Sequence, residues 1–177
     1  MQTTTQNAAR EAAQAEPCLS QLALQAQDHT ESLRTVLRAC HAAAALALSV
    51  PNLHATVRME SLGELLHLHS EAMEQRLEAI GALIETIRTA LANRPVGDLA
   101  RSLALNAIDQ LEHLRQVQLA QEAVASMLPY AVDTLAGENL AAALRLLVDA
   151  MQERTATMDD MLDALHAALV QPEGTAP

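Results

Sequence analysis

The stretch of this chain best suited to chemistry is Glu64-Leu65-Leu66-His67-Leu68-His69. A Glu and a His three residues apart stack on one helix face, the spacing that brings carboxylate and imidazole ligands into a dimetal four-helix bundle. Downstream, Asp109, Glu112 and His113 offer the same ligand types at helical spacing. Were the two runs to converge, their oxygen and nitrogen donors would suit iron, manganese or zinc.

An internal repeat argues against that convergence. Shifted by 78 residues, the sequence lays Pro17 on Pro95 and Pro51 on Pro129. The same shift lays Glu60, Leu62, Leu66, Leu68, Ala72, Met73 and Arg76 on identical residues at Glu138, Leu140, Leu144, Leu146, Ala150, Met151 and Arg154. Rare residues in register carry more information than shared alanines, so the prolines weigh most. In this alignment Glu64 falls on Ala142 and His67 on Arg145, which strips a symmetric dimetal site of half its ligands. The expectation is that Glu64, His67, Asp109, Glu112 and His113 hold no native metal and that no cofactor is bound.

Arg76 and Arg154 are repeat-equivalent and both fall on an apolar seam. As a pair they could bind an anion or a carboxylate-bearing partner. The favoured reading is structural, with each stem lying along the core edge and its guanidinium reaching solvent or a neighbouring glutamate. Met151, Met158 and Met161 read first as adaptable core packing, and second as the lining of a groove for a partner's amphipathic helix.

Composition removes whole classes of function. The net charge is −11, and all eleven basic residues are arginine. Without lysine there is no Schiff base, P-loop lysine or Ser-Lys dyad. The acidic balance disfavours nucleic acid and anionic membrane surfaces, since each is bound mainly through cationic side chains. No apolar run is long enough to span a bilayer, and residues 1–16 lack the basic-then-apolar order of a signal peptide. Cys18 and Cys40 lie in one expected helix, ~33 Å apart along its axis. They read as reduced thiols of a cytosolic protein. The alanine, leucine and arginine bias resembles a GC-rich bacterial coding background.

Phe and Trp are absent and Tyr130 is the only aromatic, while alanine, leucine, glutamate and glutamine abound, so the chain is expected to be all α. Residues 1–16 form a loose tail, 17–94 a first helical hairpin, 95–172 a second, and 173–177 a short tail. The hairpins are expected to close as an up-down-up-down four-helix bundle with pseudo-two-fold symmetry. An alternative exchanges the hairpins between two chains, giving a homodimer.

The seams alternate three and four residues apart. The first reads Leu19, Leu22, Ala26, His29, Leu33, Val36, Cys40, Ala43 and Ala47; the second Leu62, Leu66, His69, Met73, Arg76, Ile80, Leu83, Ile87 and Ala90, with Leu65, Leu77, Ile84 and Leu91 widening the stripe. The third carries Leu99, Leu103, Ile108, Leu111, Leu114, Val117, Val124 and Leu128; the fourth Leu140, Leu144, Leu147, Met151, Arg154, Met158, Met161, Leu165 and Ala168. The second helix is expected to run from about Leu53 to Ala92, with Ser61-x-x-Glu64 matching a capping box that would start its regular part nearer Ser61. Gln116 to Glu122 interrupts the third seam with polar residues, a pattern compatible with water, a partner or a buried network. Histidines at 29 and 69, if desolvated, would loosen the bundle below about pH 6. These readings leave a non-catalytic protein that works through protein contact, as an adaptor, regulator, chaperone or inhibitor. The competing readings are a metal- or ligand-binding bundle and a phage- or plasmid-encoded acidic decoy for a basic host protein.

Overall fold

The structure, a computed structural model, describes residues 18–49, 55–92, 98–130 and 137–170. The expected tails at 1–16 and 173–177, Pro17, Pro51, His54 and the turn before Asp98 lie outside the described residues. Four helices account for nearly all the rest: α1 (Leu19–Ser49), α2 (Ala55–Ala92), α3 (Asp98–Met127) and α4 (Gly137–Val170). No strand occurs among the described residues. The helices form a four-helix bundle in which α1 and α3 each pack along α2 and α4, while the backbones of the diagonal pairs stay apart.

Local chemistry sets the helix ends. Asp98 opens α3 with a carboxylate in its first turn, where the helix dipole favours negative charge, and Arg101 lies 3.6 Å away from it. At the other end Pro129 cannot donate to the helical ladder, so α3 stops at Met127 and a single 3-10 turn, Leu128–Tyr130, follows. Of the two expected starts of α2, the one near Leu53 agrees with the structure and the capping box at Ser61 does not. The helix already runs from Ala55, and Ser61 is an exposed residue within it.

Contacts between neighbours pair ascending with descending numbers. Along α2, Gly63 lies beside Ala125 and Leu128, Ser70 bonds Gln118, Gly81 lies beside Leu111 and Arg115, and the Leu91 carbonyl accepts from Arg101. These contacts make α2 and α3 antiparallel. Between α1 and α4, Gln27 bonds Asp163 and Arg34 pairs with Asp159 at 2.6 Å, again in opposite sense.

The seams exist, but several positions in each are displaced by one residue. In α1 the buried set is Leu19, Leu22, Ala23, Ala26, Thr30, Leu33, Leu37, Cys40 and Ala44, so Thr30, Leu37 and Ala44 replace His29, Val36 and Ala43. In α2 Ser70 replaces His69, while Leu77, Ile84 and Leu91, expected at the edge of the stripe, take its centre from Arg76, Leu83 and Ala90. In α4 Val148, Thr155 and Leu162 replace Leu147, Arg154 and Met161. In α3 Ala100, Ala104 and Ala107 are buried, whereas Leu99 is exposed and Leu103 half-buried. Adjacent helical residues differ by ~100° in direction, so the displaced residues, Leu99 apart, become half-buried flanks of the stripe. Thr30 and Thr155 keep their buried hydroxyls satisfied by bonding carbonyls four residues back, Ala26 at 2.9 Å and Met151 at 2.7 Å.

The repeat is visible in burial along the second helix of each hairpin. Leu62 and Leu140, Leu66 and Leu144, and Met73 and Met151 are all buried, while Leu68 and Leu146 both point outward. α1 and α3 diverge more: Leu37 is buried, but its equivalent Arg115 is exposed.

Two glycines mark close helix approach. A Cβ at Gly63 would sit 3.1 Å from the Ala125 carbonyl oxygen, backbone that cannot retreat without moving α3. At Gly81 the nearest atoms are side-chain tips, Leu111 Cδ2 at 2.9 Å and Arg115 Nη2 at 3.2 Å. Alanine gains about 1 kcal/mol over glycine in a helix interior. We therefore expect Gly63→Ala to lower Tm despite that gain. Gly81→Ala should keep or raise Tm, because two side chains can turn aside. Thermal melts followed by circular dichroism compare the two variants directly.

Candidate functional site

The polar middle of α3 turns two glutamines into a buried network and leaves Gln116, Leu119 and Ala120 exposed. Gln118 and Gln121 are buried, the latter only 1 % exposed, and they project into the bundle with Ser70 of α2 and Cys40 of α1. Gln118 Nε2 donates to Ser70 Oγ at 2.8 Å. Gln121 Nε2 lies 3.6 Å from Cys40 Sγ, while its Oε1 is buried without a partner among the described residues. This polar band cuts the core in two. On one side lies a large cluster reaching Leu37, Met73, Leu114 and Met151. On the other lies a smaller cluster of Cys40, Ala44, Met59, Leu62, Leu66, Ala125, Leu128, Leu140 and Leu144. Val148 fills the same level from α4.

Where the band reaches the surface, His67 bridges α2 and α3. Its Nδ1 is 2.7 Å from Glu122 Oε1, and its Nε2 is 3.4 Å from Glu71 Oε1. The hydrogen bond and charge of Glu122, helped by Glu71, push the imidazole above its ordinary pKa. The second carboxylate oxygen of Glu122 is buried and unpartnered among the described residues.

Neither buried nucleophile type in the band is activated. Burial pushes the Cys40 thiol up to about 11, so it stays protonated at neutral pH, and thiolate is the reactive form. The Ser70 hydroxyl is held by an amide, which is no base. What the band supplies is a set of directional bonds that match α2 to α3 and α3 to α1 at one height. A sequence clue to it existed, since the repeat sets Cys40 on Gln118 and Gln121 continues that seam.

The metal candidates do not come together. Glu64 and His67 lie at the level of Gln121 to Ala125, whereas Asp109, Glu112 and His113 flank Leu111, beside Gly81. The cause is the antiparallel register of α2 and α3, which separates the two runs by several helical turns. All five side chains are exposed. His113 Nδ1 lies 3.5 Å from Gln110 Oε1, and His67 is engaged by two glutamates. Among the described residues, no group of three or more His, Cys, Asp or Glu is arranged to hold a metal ion.

The arginine pair divides. Arg76 is half-buried and structural, with Nε donating to Ser32 at 2.9 Å and Nη1 to the Ala72 carbonyl at 2.6 Å. Arg154 is also half-buried, and its own carbonyl accepts from Gln110 Nε2 at 3.0 Å. Ser32 and Gln110 are repeat-equivalent, so the same cross-helix junction recurs with changed chemistry. Met151 and Met158 are fully buried in the large cluster and cannot line a groove in the closed bundle; Met161 is half-buried.

The expected acid loosening rested on desolvated imidazoles at 29 and 69, but both flank the seam half-buried, and His69 Nδ1 lies 2.6 Å from the Leu65 carbonyl. His67 imposes the opposite sign. A folded-state pKa above the unfolded value stabilises the fold fully below about pH 6.5, and that contribution is lost as pH rises through the raised pKa. The groups facing His67 are Glu122 from α3 and Glu71 on its own helix, with Glu64 one turn back. The Tm advantage of wild type over His67→Gln should thus be larger at pH 5.5 than at pH 8.5. An advantage that is equal at both values, or greater at the alkaline one, would remove the bridge.

No protein-family model, curated protein or solved structure matches the chain, so its kinship is read from its own repeat and geometry alone.

Proposed function

We propose that this chain is a non-catalytic helical bundle that acts through protein–protein contact, as an adaptor, regulator, chaperone or inhibitor. The observation that carries this reading is the pair Leu68 and Leu146. They are repeat-equivalent, stand on the outward faces of α2 and α4, and remain 63 % and 71 % exposed. Each costs solubility without adding to the core, and the same cost recurs in both halves of the chain. The acidic surface adds a preference for a partner carrying basic residues. No helix among the described residues is long and apolar enough to cross a membrane. A bacterial cytosolic setting is part of the proposal, as is self-association through the same leucines.

The double variant Leu68→Glu, Leu146→Glu tests it. Both positions face away from the core, so Tm should change little. Affinity capture from the native host should retain a partner on wild type and lose it on the variant. Sedimentation of the purified chain separates a foreign partner from a second copy. Capture that is unaffected by the double substitution would overturn the assignment to these leucines. Stoichiometric metal in the purified protein, lost on replacing Glu64 and His67, would favour the metal-binding alternative instead.

A further inference from the structure

We infer that the bundle is built as two cooperative units, and that the end holding the smaller core opens reversibly while the larger core stays folded. This inference is independent of the partner proposed above. Three observations place the boundary. The buried apolar residues fall into two clusters that divide at one level, between Leu37 and Cys40, Leu66 and Met73, Leu114 and Ala125, and Leu144 and Met151, with Val148 of α4 at the level itself. Polar side chains occupy that level from α2 and α3, as Ser70, Gln118 and Gln121. One of them is poorly satisfied: Gln121 is almost wholly buried, its Oε1 has no partner among the described residues, and its Nε2 has only a long contact to sulfur.

Each observation lowers the cost of separating the two ends. Cooperativity between layers travels through packed apolar contact, and a polar band interrupts it. A buried carbonyl oxygen with no donor regains a hydrogen bond when water enters, so opening relieves a penalty that closure imposes. Among the described residues the small cluster also offers little to hold it shut: α1 contributes Cys40 and Ala44, α3 Ala125 with half-buried Val124, and the 3-10 turn Leu128. On the far side of the band, by contrast, Ile80, Ile84, Ile87 and Leu91 of α2 pack against leucines of the other helices. Opening would bare Leu62, Leu66, Leu140 and Leu144, which lie on the inner faces of α2 and α4.

Cys40 sits at the boundary, buried and protonated, and serves as the probe. In a Cys18→Ser background, Cys40 should react with a thiol reagent in native buffer at a rate that hardly changes with low urea. Near the unfolding transition it should then merge with the steep global dependence. A second chain, Cys18→Ser, Cys40→Ala, Ile84→Cys, places the thiol in the large core and should show the steep dependence alone. Gln121→Leu removes the orphaned oxygen and joins the two cores, and should slow Cys40 labelling in native buffer at least tenfold. Hydrogen exchange of the wild-type chain gives an independent reading, with amides at 59–66 exchanging through a smaller opening than those at 77–91. If Cys40 and the Ile84→Cys thiol share one urea dependence, or residues 59–66 and 77–91 exchange through the same opening, the bundle is a single unit and the inference fails. If Gln121→Leu leaves the Cys40 rate unchanged, the band is not the boundary.

Discussion

The whole structure depends on aliphatic side chains meeting in layers across four helices, because no aromatic ring is available to fill the interior. Tyr130, the sole aromatic, is 89 % exposed at the end of the 3-10 turn. Leucine, isoleucine, methionine and alanine must therefore close the core by shape alone, and small residues allow the backbones to approach. Gly63 beside the Ala125 carbonyl, and alanines at 100, 104 and 107 of α3, show how close those approaches are. Interiors packed this tightly register even single-methylene changes, so layer geometry decides which residues are tolerated.

Within that constraint the polar band at Ser70, Gln118, Gln121 and Cys40 is a deliberate-looking departure from uniform apolar packing. Any slip of α3 against α2 would break the Gln118–Ser70 bond and leave both groups buried without partners, at a cost of about 1–3 kcal/mol each. One buried polar residue can fix register in the same way in a coiled coil. His67 extends the same logic to the surface, where its link to Glu122 tightens as the imidazole gains its proton.

Surface electrostatics hold the other interface. Arg34 reaches both Glu31 on its own helix and Asp159 on α4, and Arg38 also binds Glu31. Asp159 is raised above the usual carboxylate range mainly by burial, with the Arg34 charge pulling the other way. Such exposed networks contribute modestly and are screened by salt. They orient α1 on α4 while the aliphatic layers supply the cohesion.

Much of this was readable in the residues. Proline at 129 ended α3, the absence of aromatics and the 3-4 periodicity announced helices, and the repeat foretold matching burial of Leu62 and Leu140 or Met73 and Met151. The sites were less legible. Glu64-x-x-His67 has ligand spacing along one helix, but a metal needs donors from neighbours, and register sent Asp109, Glu112 and His113 to another level. Likewise His29, His69, Arg76 and Arg154 sit one residue away from Thr30, Ser70, Leu77 and Thr155, which the core took instead. The sequence by itself determined that four helices would form and roughly which face of each would be apolar, because periodicity is a local property of a helix. Only the tertiary structure decided which of two adjacent residues enters the core and which polar groups meet across it. That choice is made by the rotation and height of each helix against two neighbours, and no single helix encodes it.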